Sequence, residues 1–193
     1  MTNTFSDTIS VTEVPVNDHP QYMGHERVFK ISEPSQNFTA FVGIHNTALG
    51  PGLGGIRYKT YADENEALTD VLRLSEAMTW KNAAGGLDNG GGKSVIMAQE
   101  GQDRPSDAAL EIMAAGFNII NKDRALYYGA EDMNISEYAL DKMLETTPYI
   151  KGATSEDPNV VSGNPSPLTA TGGFECMNVA VKQKLNRDPM AGL

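Results

Sequence analysis

The clearest helical pattern in the chain covers Asp63 to Lys81. Its apolar residues recur at spacings of three and four, and the members of this stripe are Leu68, Val71, Leu72 and Met78. Acidic residues fall in the first turn, where the helix dipole favours negative charge. A second helix is predicted from Asp107 to about Asn121, because Ser106 has the right position to cap its N-terminus.

Two later segments also carry helix start signals. One is a helix that ends near Glu145, introduced by a capping-box spacing, and the other reaches about Leu185, introduced by a serine-proline pair. The residues that give these signals are Asn134, Glu137, Ser166 and Pro167.

Short apolar or alternating segments between the helices predict β-strands. These are Arg27 to Ile31, Phe38 to His45, Ile56 to Thr60, Ser94 to Ala98, Leu126 to Gly129, and the pair Tyr149 and Ile150. Strands that alternate with helices are typical of α/β layers. We therefore expect a three-layer α/β/α domain with a mainly parallel sheet, followed by a hinge and one further helix.

The polarity of the chain suggests three regions. Residues 1–24 are polar and contain two prolines, which predicts a loose N-terminal arm with some local structure. Residues 25–152 hold the predicted sheet and its helices. Residues 153–165 are polar and rich in proline and glycine, so the segment 153–193 is expected to be a hinge followed by the last helix.

Composition narrows the class of function. The net charge is −10, which disfavours broad attraction to nucleic acid or to an anionic membrane. The one cysteine, Cys176, excludes an intrachain disulfide, and its apolar surroundings predict burial. The N-terminus lacks the pattern of a signal peptide, so the expected location is the cytoplasm.

Two glycine motifs suggest nucleotide binding but have the wrong context. Segment 50–55 satisfies G-x-G-x-x-G, yet a strand starting at Ile56 follows it, whereas a dinucleotide fingerprint leads into a helix. Segment 90–94 resembles the end of a P-loop, but Leu87 stands where the first glycine of that motif belongs. Neither segment is expected to bind phosphate.

Lys81 and Lys93 flank a glycine-crowded segment, residues 84–92. Glycine tolerates positive φ and close approach of a ligand, so this segment can fold back and bring the two ammonium groups into one cleft. The alternative is that Lys81 complements a helix dipole and that Lys93 is a surface residue. Spacing alone favours the alternative.

Four motifs, taken in order, change that balance. They are Leu49 to Arg57 (LGPGLGGIR), Met78 to Lys93 (MTWKNAA…GGGK), Ala130 to Asp132 (AED) and Ser162 to Ala170 (SGNPSPLTA). Together they resemble the substrate turn, the active-site segment, the catalytic aspartate and the interdomain helix of the glutamate/leucine/phenylalanine/valine dehydrogenases. The resemblance covers roughly residues 38–185 and is closest to the leucine, phenylalanine and valine branch. The chain departs from the family at Lys151 and in Met133 to Ile135.

The resemblance implies a role for each site residue. Lys81 would bind the α-carboxylate of the substrate, Lys93 would be the general base that activates water, and Asp132 would pass protons to and from the substrate nitrogen. The substrate pocket would be lined by Leu53, Gly54, Met78 and Ala130. Ser166 and Thr169 would border the nicotinamide of NAD.

The resemblance also predicts what the chain lacks. The family's cofactor domain would follow the last helix, and the sequence ends where that domain is expected to begin, so we expect the isolated chain to be inactive. Two hypotheses follow. One is the catalytic half of an NAD-dependent, homo-oligomeric dehydrogenase for an apolar L-amino acid, and the other is a truncated, non-catalytic amino acid-binding or dimerisation module.

Overall fold

A computed structural model describes residues 8–155, 163 and 165–187. The chain divides into two compact units, Met1–Ser162 and Gly163–Leu193. In chain order the elements are β1 (Ser10–Glu13), β2 (Arg27–Glu33), a 3-10 turn (Pro34–Gln36), β3 (Phe38–Asn46), β4 (Gly52–Lys59), α1 (Glu64–Ala84), β5 (Gly90–Met97), α2 (Asp107–Ile120), β6 (Tyr127–Ala130), α3 (Glu137–Leu144) and α4 (Ser166–Leu185).

The first unit contains a six-stranded sheet with the order β1-β2-β3-β5-β4-β6. The expectation of a mainly parallel sheet is wrong, because β1–β2, β2–β3 and β3–β5 are antiparallel and only the β5–β4 and β4–β6 pairs are parallel. A tight turn joins β2 to β3 and forces an antiparallel pair. Helices α1 and α2 provide the long crossovers that parallel pairs need.

The two faces of the sheet are covered by different helices, which confirms the α/β class and the three layers. On one face, α1 contributes Ala67, Val71 and Leu72 to a core that includes Phe41 and Val95. On the other face, α2 and α3 pack on the larger core. This core includes Ile31, Ile44, Ile56, Ile96, Leu110, Met113, Phe117 and Leu140.

Several predicted boundaries need correction. The described part of the N-terminal arm is not loose, because β1 pairs with β2 and Val16 is buried. Tyr149 and Ile150 form no strand, only one bridge from Ile150 to Gly129. The cap of α3 is Ser136 rather than Asn134, which instead has a left-handed backbone with φ 62°.

The last helix also differs from the prediction at two points. Ser166 is the first residue of α4 and Pro165 its N-cap, with no side-chain capping bond. Cys176 is exposed rather than buried, because none of the described residues of α4 is buried. Residues 156–162 and 164 of the predicted hinge, like residues 1–7 and 188–193, lie outside the described residues.

The largest correction concerns the glycine runs, which belong to strands rather than to loops. Strand β4 begins at Gly52 and β5 at Gly90, so both start several residues before the predicted positions. A Cβ on Gly91 would overlap the backbone and hydroxyl of Thr79 in α1. The helix therefore lies directly on the bare strand, and a side chain there would push it away.

Gly90→Ala should destabilise the fold by about 1–3 kcal/mol, because the added Cβ would overlap the carbonyl oxygen of Asn46 and lie 2.7 Å from that of Gly50. Both neighbours are backbone atoms and cannot rotate away. Gly172→Ala in α4 is the control, since nothing lies within 4 Å of its added Cβ. Urea denaturation measures both, and equal unfolding free energies for the two variants would contradict the packing argument.

Candidate active site

Lys93 and Asp132 form an ion pair on the sheet face that α1 covers. Lys93 lies in the middle of β5 with its side chain only 5% exposed, and its Nζ is 3.0 Å from Asp132 Oδ1. Asp132 follows the end of β6, two strands away from β5 in the sheet. The intervening strand, β4, is the surface over which the two side chains meet.

Gly55 of β4 makes room for this pair. A Cβ at this position would lie 2.5 Å from Asp132 Cβ and 3.0 Å from Lys93 Nζ. Any side chain would therefore displace both groups. The ion pair therefore requires a glycine at position 55.

Arg57, to which the sequence analysis gave no role, completes the cluster. Its Nε donates to Asp132 Oδ2 at 2.8 Å, and its Nη1 donates to Asp70 Oδ2 at 3.0 Å. Asp70 also accepts bonds from the Tyr61 hydroxyl and from Arg73. A signal was present, because Asp70 is a charged residue between Ala67 and Val71 on the buried stripe of α1.

The ion pairs shift the acidity of the groups in known directions. Burial lowers the pKa of Lys93, while the charge of Asp132 acts in the opposite direction. Burial raises the pKa of Asp132, but the bond from Arg57 and the charge of Lys93 outweigh it and hold that pKa below its usual range. The pKa of Asp70 is also lowered, because its bonds from Arg73, Tyr61 and Arg57 outweigh burial.

The segment after Asp132 is fixed to β4. Tyr58 N donates to Met133 O at 3.0 Å, and Asn134 Nδ2 donates to Tyr58 O at 3.0 Å. These two bonds set the position from which Asp132 reaches over the sheet. A cleft of about 220 Å³ opens beside it, lined by Arg104, Glu131, Asp132, Asn134, Ile135 and Ser136.

Lys81 is not joined to this cluster by any contact among the described residues. It lies in the last turn of α1 and is exposed. Its neighbour Asn82 is buried and donates to Leu53 O at 3.1 Å and to Gly90 O at 2.7 Å. The end of α1, and with it Lys81, is thereby tied to the start of β4 and β5.

The predicted pocket residues lie on β4, α1 and β6. Leu53 and Met78 are half-buried, and a Cβ on Gly54 would lie 3.3 Å from Met78 Cγ. Ala130 is half-buried and pairs with Gly55 in the parallel ladder.

The predicted cofactor residues belong to the second unit. Ser166 is the first residue of α4, and Thr169 Oγ1 donates to Pro165 O at 3.1 Å. In the part of the chain that the structure describes, no group of three or more His, Cys, Asp or Glu residues could hold a metal ion. No helix in that part is long and apolar enough to cross a membrane.

Acid should destabilise this chain through Asp132 and Asp70. Their pKa is lower in the folded than in the unfolded state, so their contribution is complete above about pH 4 and is lost as the pH falls through the folded values. Asp132→Asn should cost roughly 1–3 kcal/mol at pH 7 and flatten the acid dependence, because Lys93 and Arg57 lose their shared partner.

Glu64→Gln is the control for this measurement. It removes an ion pair with Lys30 whose carboxylate is 51% exposed, so stability at pH 7 should change by less than about 1 kcal/mol. Urea denaturation between pH 2 and pH 7 gives both curves. Parallel curves for wild type and Asp132→Asn would show that Asp132 has no lowered pKa.

The sequence is similar to that of known proteins. The family model described as "Glu/Leu/Phe/Val dehydrogenase, dimerisation domain" matches residues 25–149. The chain is 38% identical over 168 residues to the leucine dehydrogenase of Geobacillus stearothermophilus, covering 87% of this chain and 44% of that protein. It is 36% identical over 164 residues to the valine dehydrogenase of Streptomyces virginiae, covering 85% and 44%.

A solved structure agrees with these relatives. The crystal structure of L-tryptophan dehydrogenase from Nostoc punctiforme matches with a TM-score of 0.61 at 28% identity, over 88% of this chain and 45% of that one. The chain thus spans less than half the length of the proteins it matches. Because the family model covers residues 25–149, with the Lys93–Asp132 pair inside them, the chain belongs to the Glu/Leu/Phe/Val dehydrogenase family and contains its dimerisation domain.

Proposed function

We propose that this chain is the substrate-binding, catalytic half of an L-amino acid dehydrogenase. The enzyme would convert an apolar L-amino acid such as leucine, valine or phenylalanine, with NAD⁺ and water, to a 2-oxo acid, ammonium and NADH. The observation that carries the proposal is the ion pair of Lys93 with Asp132 at 3.0 Å on the covered face of the sheet. Family membership supports the reaction class.

Lys93 is proposed as the general base. A lysine accepts a proton near neutral pH only if its environment disfavours the ammonium form, and burial in the sheet lowers the pKa of Lys93 in this way. The neutral amine would take a proton from water as the water attacks the imino carbon of the substrate. The deep position in β5 also limits competition from bulk solvent.

Asp132 is proposed to move protons to and from the substrate nitrogen. Arg57 and Lys93 each contact one of its oxygens and keep the carboxylate ionised. Its side chain is 25% exposed, so it reaches the surface that Lys93 does not. This exposure and the adjoining cleft support contact with a substrate amine.

Apolar side chains support an apolar substrate. Leu53, Met78 and Ala130 offer no charge to a distal carboxylate, and Gly54 of β4 is buried against β5 with no side chain to add one. In the glutamate-specific branch, resemblance places a substrate-binding lysine where this chain has Leu53. An unpaired glutamate carboxylate at such a site would cost several kcal/mol. Lys81, exposed at the end of α1, is proposed to bind the α-carboxylate.

NAD would accept the hydride from the substrate Cα. In residues 8–155, 163 and 165–187, no glycine-rich turn leads from a strand into a helix, so these residues do not fit a pyrophosphate site. Ser166 and Thr169 of α4 are proposed only to border the nicotinamide. A homo-oligomer and a cytoplasmic location complete the proposal, and the family name, which specifies a dimerisation domain, supports the oligomer.

The second candidate is a non-catalytic amino acid-binding or dimerisation module. It is favoured by one observation, which is that the family model matching residues 25–149 is described as a dimerisation domain. The two candidates can be distinguished in a fusion protein, in which the cofactor domain of a family member is joined after these 193 residues. We call that protein the assembled dehydrogenase, and only the first candidate requires it to form NADH.

In the assembled dehydrogenase, Lys93→Ala should lower kcat by about 10²–10⁴-fold, because the general base is lost. Lys81→Ala should mainly raise KM for the amino acid, by roughly tenfold or more, because a charge-assisted contact to the carboxylate is lost. Lys122→Ala, at an exposed site, is the control. Near-normal kcat in Lys93→Ala would refute the general-base role.

The 193-residue chain should itself bind leucine, valine or phenylalanine more tightly than glutamate, and it should form no NADH from any of them. Isothermal titration calorimetry gives the affinities, and absorbance of NADH gives turnover. Leu53→Lys should shift the preference towards glutamate, because it supplies a partner for the distal carboxylate. A wild-type preference for glutamate would contradict the proposed substrate class.

A further inference from the structure

We propose that Arg57 is a positioning residue for the proposed reaction, and that it holds Asp132 in place from a fixed anchor at Asp70. The inference rests on the proposed function of Lys93 and Asp132. Its basis is a continuous chain of side chains from α1 to the site, Asp70–Arg57–Asp132–Lys93, in which each contact is 3.0 Å or shorter.

The two cations bind different oxygens of Asp132. Lys93 Nζ contacts Oδ1 at 3.0 Å, and Arg57 Nε donates to Oδ2 at 2.8 Å. Two donors on separate oxygens fix the plane of a carboxylate as well as its position. When Lys93 acts as the base on a water molecule, its Nζ must give up its contact with Asp132. Arg57 would then be the contact that keeps Asp132 ionised and in register.

Arg57 is itself held at its other end. Asp70, on the first half of α1, has a side chain only 7% exposed and accepts from Arg57 Nη1 at 3.0 Å and from the Tyr61 hydroxyl at 2.9 Å. Its second oxygen accepts from Arg73 Nη2 at 2.7 Å. Every hydrogen-bonding side of Asp70 is thus committed to the network, and none is left for a substrate.

Only arginine can fill this position. Its planar fork presents Nε to one carboxylate and Nη1 to another, and the two carboxylates come from separate elements of the fold. Lysine has one donor group and cannot make both contacts. Arg57→Lys should therefore position Asp132 in part, whereas Arg57→Met should not position it at all.

The network makes a prediction about pH that a simple loss of packing does not. The groups that act on Lys93 are Asp132, which raises its pKa, Arg57, which lowers it, and Asp70, which raises it. Without Arg57, burial alone lowers the pKa of Lys93 while Asp132 and Asp70 raise it, so Lys93 holds its proton to higher pH. Removing Asp70 does not have this effect.

The test combines two measurements on Arg57→Met, Arg57→Lys and Asp70→Asn. The first is the pH dependence of kcat and KM in the assembled dehydrogenase. The second is the titration of the Lys93 ammonium by ¹⁵N nuclear magnetic resonance in the 193-residue chain. Arg27→Met is the control, because Arg27 is 43% exposed and pairs with Glu13 of β1, outside the network.

Arg57→Met should lower kcat by about tenfold or more, with KM for the amino acid changed less than about threefold. The acidic limb of its pH profile and the Lys93 titration should both move to higher pH by about one unit. Arg57→Lys should show a smaller upward shift of both titrations. Asp70→Asn should lower kcat without an upward shift, and the control Arg27→Met should keep the wild-type kcat and pH profile.

Two failures can be told apart. If wild-type assembled dehydrogenase is active and Arg57→Met keeps its pH profile, kcat and Lys93 titration, the positioning role is wrong while the proposed function stands. If the wild type forms no NADH, the proposed function is wrong and the positioning role is overturned with it. Should Arg57→Met fail to fold, as judged by circular dichroism, the shift in Arg57→Lys decides the question, and its absence overturns the role.

Discussion

The ammonium group of Lys93 lies in the middle of a sheet and loses most of its hydration. The carboxylate of Asp132 compensates for this loss, and the surrounding residues hold that carboxylate in place. Lys93 is 5% exposed, and Asp132 reaches it across the whole width of β4. The strand below must then be bare, which explains Gly55, and the carboxylate needs a second cation, which explains Arg57. Without such a partner, a buried charge would cost several kcal/mol.

The parallel part of the sheet is where this arrangement is possible. β4 lies between β5 and β6 and runs parallel to both, so the segment that follows β6 emerges on the same side as the later residues of β4. Helix α1 is the crossover between β4 and β5, and it covers the face that carries the pair. The antiparallel strands β1, β2 and β3 extend the sheet and its core but contribute none of the four charged residues of the network.

The sequence predicted the elements whose signals are local. Ser106 caps α2 as predicted, and α1 begins at Glu64, one residue after the predicted start, with Asp63 as its cap. The starts of β4 and β5 were missed because glycine has a low strand propensity, and here the close approach of α1 determines the structure instead. β1 was missed because only pairing with β2 makes it a strand.

The residues of the candidate site also fall into two groups, those that sequence motifs indicate and those that only tertiary contacts reveal. Lys93 and Asp132 were named because motifs resemble those of a family, and the structure places them 3.0 Å apart. Arg57 and Asp70 were not named, because their contacts join residues 57, 70 and 132, which no short motif contains. Lys81 was expected beside Lys93, but it lies exposed at the end of α1 without a contact to the pair among the described residues.

The bare strands under the ion pair also constrain how the protein could be re-engineered. Side chains added at positions 54, 55, 90, 91 or 92 would collide with backbone, with Tyr127, or with the charged pair itself. These five glycines are therefore closed to variation, whatever substrate is wanted. Libraries that aim at a new specificity would instead vary the half-buried residues proposed to line the substrate pocket, Leu53, Met78 and Ala130, because none of them is one of these glycines.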